Sequence, residues 1–191
     1  KVAYSATFAI ARPVDPAKSS SVLVYDVPNR GLAGINADPD GHVRVISGWQ
    51  GDIVPRANLQ TASVPAAVGR GGKSITGPVL ARFQNIAANV RSTAITAGLA
   101  AMPTVRPLPV SLDTGKARLW RELRGSAPVA IAAKDWAFAD CSRAPFPGTP
   151  NPGQLCLKDG FDPDAAYTLV YEGKDPLVLG IGFAATRDLV A

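Results

Sequence analysis

LVLGIGFAATRDLVA, residues 177–191, is the stretch on which the predicted fold class depends. It follows Asp175-Pro176, a pair typical of the start of a new element, and it predicts a helix from about Val178. The polar side of that helix is predicted to carry Thr186, Arg187 and Asp188. Because most other segments favour strands, this helix is the main α element that the sequence predicts.

Gly180 and Gly182 lie at the start of this stretch and fit the permissive dinucleotide-binding pattern G-x-G-x-x-A. That function also requires an acidic residue about 20 positions further on, and the sequence extends six residues past Ala185. We therefore interpret the two glycines as positions where a helix packs closely against a neighbour. No nucleotide cofactor is expected.

Outward from this helix, the sequence favours strands. Residues 4–12 alternate polar and apolar side chains, 22–27 form a short apolar run, and 42–47 follow a turn. Residues 167–173 are rich in β-branched and aromatic side chains, which favour a strand. Between about 53 and 160 the chain is rich in Pro and Gly, with short strand candidates at 75–84, 117–123 and 129–132. This central part is predicted to be β-rich.

The charge and hydropathy patterns exclude two classes of partner. The formal charge of +5 comes from 20 basic and 15 acidic residues. The densest basic group, Arg118, Arg121 and Arg124, surrounds apolar residues and does not form a continuous basic face with interleaved aromatics, so nucleic-acid binding is not expected. Apolar runs are interrupted by charge, Gly or Pro before they reach 18 residues, and no membrane-spanning segment is predicted.

The two cysteines, Cys141 and Cys156, bracket a loop rich in Pro and Gly. A disulfide across this loop is the favoured interpretation, and two reduced, buried thiols are the alternative. A bond of this kind restricts the unfolded chain and stabilises the fold by roughly 3 kcal/mol. It also implies an oxidising compartment, so the predicted location is periplasmic or secreted.

Candidate catalytic and metal-binding residues are few. His42 is the only histidine, which excludes a multi-histidine zinc site, and any Ser-His-Asp relay within the chain would depend on it. No G-x-S-x-G nucleophile elbow occurs. Asp159, Asp162 and Asp164 lack the glutamate and central glycine of a calcium loop and are interpreted as turn residues. No metal site and no catalytic residue are predicted within the chain.

Six blocks of sequence, in this order, resemble a known family. They are VLVYDVPNRG (22–31), SGWQGD (47–52), WAFADC (136–141), PFPGTP (145–150), LCLKDGFDP (155–163) and KDPLVLGIGFAATRDL (174–189). Together they resemble bacterial proteins of the "alpha/beta hydrolase domain-containing" type, which are serine esterases with a β-rich insertion. The resemblance spans nearly the whole chain, and its last block is the most specific.

The resemblance implies an α/β fold: the front half of an α/β-hydrolase-like sheet with a large β-rich insertion. Residues 1–52 and 161–191 would form the sheet and helix elements, and 53–160 the insertion with the disulfide loop. Asn29, Arg30 and Gly31 would form the oxyanion loop, where backbone N–H groups stabilise transition-state charge. Trp49, Gln50 and Asp52 would line the cleft at the carboxyl end of the strand 42–47.

The family's nucleophilic serine lies in a G-x-S-x-S-G turn after the last matching block. The resemblance therefore implies that this chain is the N-terminal portion of a carboxylic-ester hydrolase, inactive alone, whose partner is a C-terminal catalytic half or a second chain. Its substrate would be a small-molecule or polymeric ester. The alternative is a noncatalytic, secreted β-rich binding or interaction module, for which the candidate contact residues are Trp49, Trp120 and Trp136.

Overall fold

The computed structural model describes residues 2–27, 35–56, 59–97 and 104–191. The chain divides into two compact units. The first unit combines Lys1–Ala66 with Leu177–Ala191, and the second is the intervening segment Ala67–Pro176.

The first unit contains short strands and one α-helix. In chain order they are β1 (Ser5–Ala6), β2 (Phe8–Ala11), β3 (Leu23–Asp26), β4 (Val43–Ser47), β5 (Ala62–Ser63) and α1 (Ile181–Val190). A short 3-10 helix spans Pro16–Lys18.

A three-stranded sheet in the order β2-β4-β3 forms the centre of the first unit. β4 pairs with β2 in antiparallel orientation and with β3 in parallel orientation. Val45, Ile46 and Ser47 of β4 are buried. The Tyr25 hydroxyl lies 2.5 Å from Ser47 Oγ and 3.1 Å from Thr186 Oγ1, so these hydroxyl groups connect the sheet to α1.

The second unit is built from strands. They are β6 (Thr76–Phe83), β7 (Ser92–Ala94), β8 (Thr96–Ala97), β9 (Thr104–Val105), β10 (Leu108–Pro109), β11 (Arg118–Leu123), β12 (Val129–Ile131), β13 (Trp136–Ala137), β14 (Ala139–Asp140), β15 (Thr149–Pro150), β16 (Gln154–Leu157) and β17 (Ala165–Lys174). Short 3-10 helices span Arg70–Gly72, Thr114–Lys116 and Ala133–Asp135.

β17 is the centre of the largest sheet. It pairs antiparallel with β6 along Tyr167–Lys174 and with β11 along Ala165–Val170. β10 pairs with β17 along the same edge of that strand as β11, and β12 pairs with β11. A smaller sheet in the order β13-β16-β7 lies in the same unit, with the pairs β14-β15 and β8-β9. Side chains of β17 alternate between buried and less buried positions, as expected where one sheet face covers a core.

Large apolar side chains fill the core between these strands. Trp136 and Phe138 meet edge to face with ring centroids 5.2 Å apart, and Phe161 meets Tyr167 at 5.0 Å. Leu169 of β17 is fully buried in the same cluster. Aromatic pairs of this geometry contribute beyond their buried area, so they stabilise the second unit in addition to the burial of apolar surface.

The predicted α/β fold class is wrong. The structure is mostly β, with several small sheets, and α1 is the one α-helix in the part of the chain that the structure describes. A parallel sheet of the predicted kind needs helical crossovers between its strands. Proline and glycine punctuate the segments between residues 53 and 160, and β-branched and aromatic residues dominate the longer elements, so these segments form strands and turns.

The boundaries of the two units lie at different positions from the predicted boundaries. The insertion was predicted at 53–160, whereas the second unit spans Ala67–Pro176. β17, which the prediction assigned to the hydrolase-like part, pairs with β6 and β11 inside the second unit. Among the described residues, no helix has the length and apolar character required to cross a bilayer.

Candidate functional site

A small cavity of about 140 Å³ lies in the first unit, where the chain leaves β4 and where α1 begins. Residues 49–52 form one wall, residues 178–181 form the other, and Val64 also lines the cavity. Three residues predicted to line a cleft, Trp49, Gln50 and Asp52, therefore lie around one cavity.

Glycines and backbone hydrogen bonds fix the wall formed by residues 49–52. The Gly48 amide donates to the Thr7 carbonyl at 2.8 Å, and the Ala62 amide donates to the Gln50 carbonyl at 3.1 Å. A Cβ at position 48 would overlap the backbone of Thr61, so only glycine fits there. Backbone contacts with Thr7, Thr61 and Ala62 therefore hold this wall in place.

Gln50 carries an unsatisfied polar atom. Its Oε1 is buried and has no hydrogen-bond partner among the described residues. A buried acceptor without a partner costs about 1–3 kcal/mol. Because Gln50 also lines the cavity, a ligand with a hydroxyl or N–H group could supply the missing donor.

The other wall contains the start of α1. Gly180 precedes the helix with φ +83°, a left-handed conformation that favours glycine. No described side chain caps the helix there, and its first turn has no acidic residue. The positive end of the helix dipole therefore lies at the cavity wall without a side-chain counter-charge from the first turn.

The predicted oxyanion residues Asn29, Arg30 and Gly31 lie outside the described residues. Their predicted role remains a prediction.

His42 lies beside Ser20, Asp38 and Asp40. The distance from His42 Nδ1 to Ser20 Oγ is 2.6 Å, and ligand atoms of His42, Asp38 and Asp40 all lie within 4.8 Å of one another. A Ser-His-Asp relay also needs oxyanion donors and a substrate cavity. None of the three cavities described in this section is lined by these residues, and Ser20 Oγ also accepts the Val22 amide at 3.2 Å.

Sequence reasoning considered His42 but not its two acidic neighbours. Asp38, Asp40 and His42 fall within five consecutive residues, DPDGH, so the signal was present in the sequence. The contribution of Ser20, which is 22 positions away from His42, could not be found from spacing.

A larger groove of about 550 Å³ crosses the outer face of the main sheet in the second unit. Trp120, Lys116 and Arg118 line it from one side, and Glu172 lines it from β17. In the part of the chain that the structure describes, neither the Lys116 ammonium nor the Arg118 guanidinium forms an ion pair.

A third cavity of about 330 Å³ lies at the end of the same sheet and includes Arg82 and Glu122, which form an ion pair at 3.2 Å.

The three tryptophans differ in exposure. Trp136 is 2% exposed and belongs to the core, so it cannot contact a partner. Trp120 is half-buried in the groove, and Trp49 is half-buried at the cavity in the first unit.

Cys141 and Cys156 form the predicted disulfide, with Cα atoms 5.8 Å apart. Both cysteines are buried with Ala139 in a small apolar cluster. The prediction of a disulfide is therefore confirmed, and the described residues contain no free cysteine.

A charged cluster connects the N-terminal residues to α1. The Tyr4 hydroxyl donates to Asp188 Oδ2 at 2.5 Å, and Arg187 Nε donates to Asp188 Oδ1 at 2.7 Å. These two hydrogen bonds, first that of Tyr4 and then that of Arg187, lower the pKa of Asp188. The same hydrogen bond to Asp188 raises the pKa of Tyr4.

No family model, curated protein or solved structure matches this chain. The resemblance to the hydrolase-domain family therefore rests on the six sequence blocks alone.

Proposed function

We propose that this chain supplies the substrate-cleft part of a carboxylic-ester hydrolase, with the nucleophilic serine contributed by a C-terminal catalytic half or a second chain. The observation that carries the proposal is the cavity that joins residues 49–52 to residues 178–181. The residues of both walls belong to the sequence blocks that resemble the esterase family.

The position of the cavity supports ligand binding. β3 and β4 run parallel, and the chain enters the cavity wall directly after the carboxyl end of β4. In open α/β sheets, ligands bind outside the carboxyl ends of the strands. In this small mixed sheet the end of β4 and the start of α1 likewise meet at the cavity. The chemistry of the walls suits an ester: the start of α1 favours partial negative charge, and Gln50 Oε1 can accept a hydrogen bond from a substrate hydroxyl.

Exposed apolar side chains in the first unit support a protein partner. Leu23 of β3 is 60% exposed, Leu179 is 66% exposed and Phe183 of α1 is 81% exposed. β3 ends its sheet among the described residues, and such a strand offers unpaired backbone groups to another chain. A catalytic half that covers this strand and α1 would bury these side chains.

The disulfide supports a periplasmic or secreted location for this hydrolase, because such bonds persist in oxidising compartments.

The proposal is tested by comparing this chain with the product of the complete open reading frame that encodes it, using p-nitrophenyl esters as substrates. We expect the longer product to hydrolyse them and to lose activity with a serine-directed phosphonate, and we expect the 191-residue chain alone to be inactive. The proposal is overturned if the longer product has no phosphonate-sensitive activity, or if the isolated chain is active and loses that activity in Ser20→Ala.

A cavity-filling variant tests the role of the cleft. Val178→Trp places a large ring at a half-buried position of the cavity wall and should lower kcat/KM of the complete product at least tenfold. Val14→Trp is the matched control, because Val14 lies in the same unit and is fully exposed. Equal activities of the two variants would count against this cavity as the substrate cleft.

A second candidate function, a noncatalytic binding module, is favoured by the groove on the main sheet. Its half-buried Trp120 lies beside Lys116 and Arg118, which form no ion pair with any described residue, and opposite Glu172. On the side of the two cations, this arrangement suits an anionic ligand with a planar group. Native mass spectrometry distinguishes the two candidates. A co-purifying serine-bearing fragment supports the hydrolase, and a stable monomer that never associates with one supports the module.

A further inference from the structure

We propose that Asp38, Asp40 and His42 form a binding site for a divalent transition-metal ion, with zinc as the best-matched probe. The proposal is independent of the hydrolase function, because the three residues line none of the cavities described above. It rests on the donor set, on the contact that holds the imidazole, and on the finding that no described lysine or arginine forms an ion pair with the carboxylates.

The donor set has the composition of a transition-metal site. Each of the three residues has a ligand atom within 4.8 Å of those of the other two. Zinc binds imidazole nitrogen and carboxylate oxygen at about 2.0–2.2 Å, which puts tetrahedral ligands about 3.4 Å apart. Asp40 is exposed, so rotation of its side chain can close the remaining gap, and water can complete the coordination.

The imidazole of His42 is held in place by a contact to one of its two ring nitrogens. Its Nδ1 lies 2.6 Å from Ser20 Oγ, an oxygen that also accepts the Val22 amide at 3.2 Å. In our proposal Nδ1–H donates to Ser20, which leaves Nε2 as the metal ligand. Metal-binding histidines almost always donate their second ring N–H to a neighbouring oxygen in this way.

Backbone contacts fix the two segments relative to each other. The Ser20 amide donates to the Gly41 carbonyl at 3.0 Å, and the Gly41 amide donates to the Asp38 carbonyl at 3.1 Å. Gly41 has φ +75°, and a Cβ at this position would overlap the Lys18 carbonyl oxygen. The backbone that carries the three side chains is therefore fixed by the fold before any ion binds.

Within the described ranges, Asp38 and Asp40 have no lysine or arginine as an ion-pair partner. None of the ion pairs recorded in the described ranges of the chain involves Asp38 or Asp40. A divalent ion would neutralise both carboxylates at once.

The chain contains an internal comparison for this site. Asp162-Pro163-Asp164 repeats the Asp-Pro-Asp sequence, and the Asp164 amide donates to Asp162 Oδ1 at 3.0 Å, much as the Asp40 amide donates to Asp38 Oδ1 at 2.9 Å. No histidine belongs to that turn. The same acidic turn therefore occurs twice among the described residues. Only the first of the two has an imidazole beside its carboxylates.

The test titrates the purified 191-residue chain with ZnCl₂ and follows the single imidazole by ¹H–¹⁵N NMR and the heat of binding by calorimetry. We expect one equivalent of zinc to bind and to shift Nε2 of His42. His42→Ala and Asp38→Asn should weaken binding at least tenfold, and Ser20→Ala by about tenfold, the effect typical of a lost outer-shell hydrogen bond. Asp162→Asn, the matched control, should bind like the unchanged chain.

Two results would overturn the proposal. One is an imidazole spectrum that does not respond to zinc up to millimolar concentration, which requires no variant and so does not depend on variant folding. The other is an Asp162→Asn variant that loses as much affinity as Asp38→Asn, which would mean that zinc binds acidic turns without selection. Circular dichroism of each variant confirms that it is folded before its affinity is compared.

Discussion

The backbone of Trp49 lies directly against Gly182 of α1. A Cβ at position 182 would stand 2.5 Å from the Trp49 carbonyl oxygen and 2.7 Å from the Trp49 Cβ. The helix therefore approaches the wall of the cavity at a distance that only glycine permits. This contact positions residues 178–181 opposite residues 49–52.

Gly182→Ala should destabilise the first unit. Alanine favours a helix by about 1 kcal/mol over glycine, but overpacking against a fixed backbone costs about 1–3 kcal/mol. We expect a net loss of up to about 2 kcal/mol in urea unfolding. Gly77→Ala is the control, since a Cβ at position 77 meets no atom within 4 Å. A stabilised Gly182→Ala protein would contradict the close contact.

Reduction of the disulfide should lower the free energy of unfolding. The loop between Cys141 and Cys156 spans 15 positions, for which restriction of the unfolded chain gives about 3 kcal/mol. The Cys141→Ala/Cys156→Ala double variant should lose about this amount in urea unfolding. A reductant should destabilise the unchanged chain by a similar amount and leave the double variant unaffected. A reductant effect on the double variant would contradict this assignment.

The tryptophans of the second unit should respond differently to truncation. Trp136 is 2% exposed and packs on Phe138, so Trp136→Ala should cost about 3–5 kcal/mol of unfolding free energy. Trp120 lies half-buried in the groove, and Trp120→Ala should cost about 1 kcal/mol, the value for an average substitution. Equal losses in the two variants would contradict the different environments of the two side chains.

Local patterns predicted the positions of several elements but not their partners. The composition of residues 167–173 predicted a strand, which lies within β17 (Ala165–Lys174). The helix predicted from about Val178 is α1, which begins at Ile181. Nothing local reveals that β17 pairs with β6 and β11, because strand pairing depends on residues more than 40 positions away. The error in fold class follows from this: the family resemblance assigned β17 to a sheet in which it does not take part.

In the candidate site, too, the sequence identified individual residues but not the contacts between distant segments. Trp49, Gln50 and Asp52 were identified by resemblance, and the cavity places them together. Residues 178–181, which form the opposite wall, were predicted only as part of a helix. The sequence pattern of a helix does not specify which residues lie opposite its first turn. Likewise, DPDGH puts two carboxylates near His42 by sequence, whereas the Ser20 contact depends on the tertiary fold.

Ionisation of Tyr171 should lower the free energy of unfolding of the second unit at high pH. Its hydroxyl donates to the Pro107 carbonyl at 2.7 Å, and burial raises its pKa to about 12 despite the opposing effect of Arg106. The unfolded chain releases this proton near the ordinary tyrosine pKa of about 10, so it binds fewer protons than the folded chain above that pH. The stabilisation is fully present below pH 10 and is lost as pH rises from about 10 to about 12.

The measurement compares the unfolding free energy of the Tyr4→Phe protein with that of the Tyr4→Phe/Tyr171→Phe protein between pH 8 and pH 12. Tyr4 is replaced in both proteins because the hydrogen bond to Asp188 also raises its pKa. Below pH 10 the Tyr171→Phe change should cost about 1 kcal/mol for the lost hydrogen bond. Above pH 10 this difference should shrink, because only the protein that retains Tyr171 is destabilised by its ionisation. A difference that stays constant up to pH 12 would show that Tyr171 titrates alike in the folded and unfolded chains, against its burial in the core.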